Sequence, residues 1–218
     1  MRKLFVLVEG QTEEAFVRDV LAPHLEGHGL ASIAVLLKTK RVKSGGHFRG
    51  GVTSTAQVLG DLRRLLGDSS AVAVTTLLDY YGLPDDFPGI GSRPPGTPRE
   101  RVAHVEAELA RRIGDRRFIP HLVLHEYEAW IYAEPARACW VFDDAAVAAQ
   151  LEAIATTAGG PELVDEGPDT APSKRLARTF PPYRKPLHGP IAVGAIGLPA
   201  IRARCPHMAA WLERLEHA

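Results

Sequence analysis

Acidic side chains follow three of the buried strands that the sequence predicts, each at the point where the strand ends. Glu9 comes directly after the first strand, and Asp79 comes directly after the third. Glu126 and Glu128 follow the fourth strand, and Asp85 lies in the loop after Asp79. Carboxylates at one edge of a sheet repel one another unless a cation neutralises them, and Mg²⁺ prefers such oxygen ligands. The pattern therefore predicts a Mg²⁺ or Mn²⁺ site, with these ligands: Glu9, Asp79, Asp85 and Glu128.

Each of these acids also has an ordinary structural explanation. Carboxylates are common as surface groups at strand ends and as partners of the helix dipole in a first turn, which is how we interpret Glu13 and Glu14. Glu9 and Asp79 together indicate more than either alone, because two separate strands must deliver an acid to the same edge.

The segment His125-Glu126-Tyr127-Glu128 allows two geometries. If it continues the strand, Glu126 and Glu128 share a face; if a helix has begun, His125 and Glu128 lie on one side. The sequence does not choose between them. His125 is either a structural histidine or a proton carrier, and Glu128 would be costly to bury without a partner.

Buried strands and amphipathic helices alternate along the first half of the chain. Continuous apolar runs predict strands at 4–8, 33–37, 71–78 and 118–124. Apolar positions at three- and four-residue spacing, with capping residues before them, predict helices at 12–28, 54–66 and 97–113. The order βαβαβαβ is typical of an open, mostly parallel sheet, whose ligands bind at the carboxyl ends of the strands.

Short helical pieces replace the strands beyond Trp130, including stretches at 144–156 and at roughly 196–216. We interpret residues 1–132 as an α/β domain and residues 133–218 as a helical C-terminal extension packed on it. No flexible linker marks this boundary.

Two basic stretches could contact phosphate. The first contains no acid and is interleaved with glycines, and its cations are Lys38, Lys40, Arg41, Lys43 and Arg49. Glycines let a phosphate backbone approach closely, and the cations supply the sequence-independent attraction to nucleic acid. The second is Pro172-Ser173-Lys174-Arg175, which could place a helix N-terminus and two cations on a phosphate. A solvated loop and a capped surface helix remain the alternatives.

Composition excludes few partners, because Lys plus Arg and Asp plus Glu both number 26. Cys139 and Cys205 are far apart, which argues against a disulfide framework and a zinc knuckle. Glu9 cuts the first apolar run too short for a signal peptide, and no stretch approaches the roughly 20 apolar residues of a membrane helix. We therefore expect a soluble cytoplasmic protein without a membrane partner.

The segment Val8-Glu9-Gly10-Gln11-Thr12-Glu13 is similar to the first motif of TOPRIM domains, which occur in topoisomerases, primases and the overcoming-lysogenisation-defect nucleases. In that family, the acid after the first strand and a later Asp-x-Asp pair hold Mg²⁺. The resemblance implies a TOPRIM-like, Rossmann-like α/β fold of about four strands, in which Glu9 is the first acid and Asp79 the first aspartate. Tyr81 stands where the second aspartate is expected. Asp85, Asp86 or an acid of the segment 125–128 could fill its place.

Three further segments, 79–84, 125–129 and 170–176, resemble a bacterial TOPRIM-related family, domain-of-unknown-function family 4276. The C-terminal stretch from Ile201 to Trp211 adds to this resemblance. Members of this group are similar to TOPRIM proteins found beside AAA-type ATPases in anti-phage loci. The resemblance implies a defence role with an ATPase partner, and a homodimer is left open.

We therefore expect a Mg²⁺-dependent TOPRIM-type nuclease that hydrolyses phosphodiester bonds in DNA or RNA. Its expected catalytic residues are Glu9, Asp79, His125, Glu126 and Lys174. Its expected phosphate-binding residues are Lys38, Lys40, Arg41, Lys43, Arg49, Lys174 and Arg175. One alternative is a non-catalytic metal- or nucleic-acid-binding regulatory subunit, which Tyr81 favours. The other is a small-molecule phosphohydrolase, because strand-end acids and Mg²⁺ also serve that chemistry.

Overall fold

The chain folds into a mostly parallel five-stranded sheet flanked by helices. A computed structural model describes residues 1–37, 52, 54–142, 144–164, 167 and 169–218. The strands are β1 (Arg2–Val8), β2 (Leu30–Leu36), β3 (Ala71–Asp79), β4 (Phe118–Ile119) and β5 (Leu122–Val123). β1 lies between β2 and β3, β4 and β5 both pair with β3, and each of these pairings is parallel.

The predicted strand at 118–124 is two short strands instead of one. β4 ends at Ile119 and β5 begins at Leu122, and both follow the same edge of β3. Pro120 lies between them and has no N–H to donate to a ladder. The side chain of Thr76 bridges the gap, because its hydroxyl donates to the carbonyl of His121 at 2.7 Å. The sheet therefore has five strands, not the expected four.

Ten α-helices are assigned in the described ranges. They are α1 (Gln11–Phe16), α2 (Ala22–Glu26), α3 (Thr55–Leu66), α4 (Pro98–Ile113), α5 (Cys139–Phe142), α6 (Ala145–Ala158), α7 (Pro172–Thr179), α8 (Lys185–Ile196), α9 (Leu198–Arg204) and α10 (Pro206–Glu216). A π-helical turn, Val17–Leu21, joins α1 to α2. The 3₁₀ segments are Ile90–Ser92, Tyr127–Tyr132, Pro135–Ala138 and Pro161–Leu163. No helix in these ranges combines the length and apolar character that a membrane crossing requires.

The predicted helix starts near residues 54 and 97 are confirmed, whereas the helix expected from residue 12 begins at Gln11, after Gly10, which offers no side-chain cap. Thr97 and Glu100 form a capping box at the start of α4, and Ser54 caps α3. The single helix expected at 196–216 is wrong in one respect, because Cys205 leaves the helical conformation and Pro206 opens a new helix. A proline is tolerated in a first turn but cannot continue a helix without losing a hydrogen bond.

Two apolar clusters lie on opposite faces of the sheet. Alternate residues of β1 divide between them, with Leu4 and Val6 in one cluster and Leu7 in the other. The first cluster also contains residues of α1, the segment Tyr127–Tyr132 and the C-terminal helices. The second contains residues of α3 and α4. The C-terminal helices thus share a core with β1. This packing places the start of α8 at the carboxyl edge of the sheet.

Candidate functional site

Four carboxylates and one ammonium group meet at the carboxyl ends of β1 and β3. Glu9 follows β1, Asp79 ends β3, and Glu13 lies in the first turn of α1. Glu128 lies in the 3₁₀ segment after β5, and Lys185 is the first residue of α8. Five separate parts of the chain therefore supply this carboxylate cluster, as we call these five residues.

Lys185 pairs with three of the four acids of the carboxylate cluster. Its Nζ lies 3.0 Å from Asp79 Oδ2, 3.3 Å from Glu128 Oε2 and 3.7 Å from Glu13 Oε1. Glu128 is fully buried and Glu13 and Asp79 nearly so, whereas 35% of the Lys185 side chain is exposed. The ammonium group therefore reaches the acids from the solvent side.

Neighbouring donors fix the orientation of three carboxylates. The N–H of Tyr127 donates to Asp79 Oδ1 at 2.8 Å. The hydroxyl of Tyr183 donates to Glu128 Oε1 at 3.3 Å, and the N–H of Gly10 donates to Glu13 Oε2 at 3.0 Å. Glu128 Oε2 is buried and has no hydrogen-bond partner among the described residues, although it faces Lys185. An oxygen of this kind is costly to leave without a cation or donor in good geometry.

The carboxylate cluster carries more negative charge than Lys185 can balance. Burial raises the pKa of Glu9 to about 8, and Asp79 and Glu13 add to the rise while Lys185 opposes it. Burial likewise raises the pKa of Glu128 to about 7, with Asp79 adding to it. The pKa of Glu13 is raised for the same reasons. Four ionised carboxylates facing one ammonium would leave three uncompensated negative charges, so protons are held at neutral pH.

The same charges act on Lys185 in the opposite sense. Burial alone would lower the pKa of its ammonium group, but Asp79, Glu128 and Glu13 raise it well above its usual value. Lys185 is therefore a permanent cation at neutral pH.

The donors of the carboxylate cluster suit a hard divalent cation, because all of them are carboxylate oxygens. Their present spacing is wider than a bound ion requires. Within the described ranges, the sets of three ligand atoms that lie within 4.8 Å of one another belong to other residues, which are His24, His28 and Glu216 in one set and Glu106, His121 and His207 in the other. The ammonium of Lys185 already pairs with Asp79 and Glu128, so closure of these two acids on an ion requires this side chain to withdraw.

His125 forms a strained turn between β5 and the 3₁₀ segment. Its φ is 68°, in the left-handed region that residues other than glycine rarely adopt. Its carbonyl accepts the N–H of Tyr81 at 2.9 Å, which ties the loop after β3 to this turn. The strand thus does not continue through the segment 125–128, and the helix that the sequence allowed is a 3₁₀ segment that begins at Tyr127 and so includes Glu128 but not His125. Strain of this sort is common at functional sites, and here it directs Glu128 into the carboxylate cluster.

Glu126 contacts the second basic stretch instead of Lys185. Its Oε2 accepts the N–H of Ser173 at 2.9 Å, at the start of α7. Lys174 is exposed on α7, and Arg175 donates to the carbonyl of Thr170 at 2.8 Å. The predicted phosphate-binding helix therefore begins beside the motif that supplies Glu128.

Other predicted residues lie apart from the carboxylate cluster or outside the described ranges. Asp85 is exposed in the loop after β3, and the contacts of Lys185 do not include it. Tyr81, which stands where the resemblance to TOPRIM domains would require a second aspartate, is also exposed. The cations Lys38, Lys40, Arg41, Lys43 and Arg49 lie outside the residues that the structure describes.

Sequence reasoning missed the roles of Glu13, Tyr183 and Lys185. Lys185 lies 106 residues from Asp79 along the chain, so no local pattern links them. The available signal was Gly189, one turn further along α8. A Cβ there would lie 3.2 Å from the Tyr183 hydroxyl and 3.4 Å from Thr12, so glycine permits the close approach of α8 to α1.

Comparison with known proteins assigns the chain to a family but not to an activity. Neither the curated proteins nor the solved structures gave a match. The family model described as "Domain of unknown function (DUF4276)" matches residues 8–216, which include every member of the carboxylate cluster. The match extends over most of the chain, and the protein therefore belongs to the DUF4276 family.

Proposed function

We propose that this protein is a divalent-metal-dependent hydrolase of phosphodiester bonds in DNA or RNA, of the TOPRIM type. One observation carries the proposal: four carboxylates gather around a single ammonium group at the carboxyl edge of a parallel sheet, where burial and mutual repulsion raise the pKa of Glu9 and Glu128. Such an edge is where open α/β sheets bind ligands, and unbalanced buried carboxylates favour a cation. The substrate class and the TOPRIM relationship rest on the resemblance of residues 8–13 to the TOPRIM motif.

Glu9, Asp79 and Glu128 would hold Mg²⁺ or Mn²⁺, with Glu13 beside them. When bound, the ion supplies an activated water and neutralises charge on the phosphate. Lys185 is the cation placed to contact a phosphate oxygen, since its side chain is partly exposed at the mouth of the cluster. Tyr127 and Tyr183 keep Asp79 and Glu128 oriented through their N–H and hydroxyl groups.

Burial holds the pKa of Glu9 at about 8 when no ion is bound, so Glu9 would release a proton as it binds the ion. The exposed Lys174 on α7 and the basic stretch at 38–49 would bind the rest of the nucleic acid. An AAA-type ATPase partner and a role in anti-phage defence remain part of the proposal.

Cleavage assays with matched variants test this function. Purified protein is incubated with labelled single- and double-stranded DNA, tRNA and a small chromogenic phosphodiester, with Mg²⁺, Mn²⁺ or a chelator. Cleavage should require the metal and should fall at least about 100-fold in Asp79→Asn and Glu128→Gln. Glu26→Gln, an exposed change on α2, is the matched control and should cleave as the wild type does. Equal cleavage by wild type and Asp79→Asn would contradict the proposal.

A non-catalytic regulatory subunit is the second candidate, and the position of Lys185 favours it. An ammonium group that already pairs with Asp79, Glu128 and Glu13 can serve as the permanent cation of an inactive site. This candidate predicts nucleic-acid binding without cleavage of any substrate above, even with the ATPase partner present. Cleavage that disappears in Asp79→Asn would eliminate it.

A further inference from the structure

A second group of metal-ligand side chains lies where α4, α10 and the gap between β4 and β5 meet. Glu106 is on α4, His121 lies between the two short strands, and His207 is in the first turn of α10. His207 Nε2 is 2.9 Å from Glu106 Oε1, and His121 Nδ1 is 3.7 Å from the same oxygen. We propose that Glu106, His121 and His207 form a transition-metal site that takes Zn²⁺ through one carboxylate and two imidazoles.

The spacing of the three side chains is close to that of a zinc site. Zinc bonds of 2.0–2.1 Å in a tetrahedron place neighbouring ligand atoms about 3.3 Å apart. The two separations from Glu106 Oε1, 2.9 Å and 3.7 Å, lie on either side of that value. The rings of His121 and His207 are stacked, with their centroids 5.0 Å apart and 24° between their planes.

His121 is a buried imidazole that the described residues leave without a hydrogen bond. It is 1% exposed, and its Nε2 has no hydrogen-bond partner among those residues. Its Nδ1 is 3.7 Å from Glu106, beyond hydrogen-bond distance. The ring stacks on Trp211 and His207, and its Nδ1 has no hydrogen bond within the described residues that a metal ion would have to displace.

Surrounding groups hold the other two ligands in position. The N–H of Leu122 donates to Glu106 Oε1 at 2.8 Å. Glu162 is nearly fully buried and accepts the N–H groups of His207 and Met208, both at 2.9 Å, so it fixes the start of α10. Outer contacts of this kind orient the ligands of metal sites.

The ligand chemistry distinguishes this site from the carboxylate cluster. Two imidazoles and one carboxylate suit Zn²⁺, whereas an all-carboxylate set suits Mg²⁺. The side chains of Glu106 and His207 are each 10% exposed, so the site lies close to the protein surface. The other histidine pair, His24 and His28, is a weaker candidate because Arg202 already forms two hydrogen bonds with its carboxylate, Glu216.

Metal titration of chelator-treated full-length protein tests the site. Zn²⁺, and separately Co²⁺, is added in buffer with excess Mg²⁺ to occupy the carboxylate cluster, and bound metal per chain is measured. Trp211 provides a second signal, because its ring stacks on His121 at 4.2 Å and its fluorescence should change on binding. Bound Co²⁺ should show the visible absorption of a tetrahedral nitrogen and oxygen site.

His207→Gln should lose one equivalent of Zn²⁺, with affinity reduced by more than the 10- to 100-fold that outer contacts contribute. The glutamine retains an N–H that can donate to Glu106, so the fold should persist, and circular dichroism checks this. Glu106→Gln is the second variant and should lose the same equivalent. His24→Gln is the matched control and should bind as wild type does. The proposal would be overturned if the wild type bound no Zn²⁺, or if a folded His207→Gln or Glu106→Gln protein bound Zn²⁺ as the wild type does. Either result would stand whatever the outcome of the cleavage assays.

Discussion

Replacing Glu9 with glutamine should stabilise the protein when no divalent cation is present. Burial, Asp79 and Glu13 hold the pKa of Glu9 at about 8 in the folded protein, against an ordinary value of 4.5. The folded form therefore binds a proton more tightly than the unfolded form. The stability that this proton contributes is complete below about pH 4.5 and is lost progressively as the pH rises to about 8.

The size of the effect follows from the shift in the pKa of Glu9. At pH 7, the pH lies about 2.5 units above the ordinary pKa of Glu9 in the unfolded chain, whereas the folded protein still holds the proton. Taking up this proton on folding therefore costs about 3 kcal/mol of stability. Partial exposure and pairing with Lys185 reduce the expected gain for Glu9→Gln to about 1–3 kcal/mol. For a chain of this length, that gain raises Tm by about 3–10 °C.

Thermal and urea unfolding at pH 7 and at about pH 5 provide the measurement, with a chelator and then with saturating Mg²⁺. Without metal, Glu9→Gln should exceed the wild type at pH 7, and the difference should nearly vanish at about pH 5. With Mg²⁺ the wild type should gain about 2.7 kcal/mol at 100 times its Kd, whereas the variant should gain much less. Glu26→Gln should remain within about 0.5 kcal/mol of wild type throughout. A Glu9→Gln protein that is less stable than wild type at pH 7 without metal would show that the carboxylate is ionised and well paired, and would refute this reasoning.

Three further predictions concern the same cluster. Mg²⁺ affinity should rise between about pH 6 and pH 8, because Glu9 and Glu128 (pKa about 8 and about 7) must release protons when the ion binds. Calorimetry in buffers of different ionisation enthalpy measures this proton release. An affinity that stays constant over this pH range would contradict the prediction. Lys185→Met should lower the free energy of unfolding by about 2 kcal/mol at pH 8, and by less at pH 6, where the acids hold protons. The same variant should bind Mg²⁺ more tightly, because the ammonium no longer separates the acids from the ion. Urea unfolding and metal titration measure the two effects, and unchanged Mg²⁺ binding would show that Lys185 does not prevent the acids from closing on the ion. Gly189→Ala should disturb the Tyr183 hydroxyl that donates to Glu128 and should reduce phosphodiester cleavage. Gly194→Ala, where a Cβ meets nothing within 4 Å, should cleave normally and should be more stable to unfolding by about 1 kcal/mol. Equal cleavage by both variants would contradict the expectation for Gly189.

Local patterns were sufficient to predict most of the elements. The apolar runs at 4–8 and 71–78 and the capping box at Thr97 predicted β1, β3 and α4, because burial on both faces and helix capping leave signatures within a few residues. Glu9 and Asp79 were placed at one edge of the sheet for the same reason, since parallel neighbours must end at the same side.

The break at Pro120 and the turn at His125 were not predicted, although both are local. An apolar run can hide a strand interruption, and the sequence did not indicate that His125 would adopt a φ of 68°. This conformation ends the strand and starts a 3₁₀ segment, and so decides that Glu128 enters the cluster while Glu126 contacts the start of α7.

The sequence by itself determined that acids would gather at the ends of parallel strands, because strand direction and burial pattern are encoded over short distances. Only the tertiary structure decided what stands among those acids. Lys185 reaches Asp79 across 106 residues, and His207 reaches Glu106 across 101, because helices of the C-terminal region pack on the sheet at positions that no local periodicity specifies. The charge balance of the carboxylate cluster, and with it the pKa of Glu9, follows from that packing.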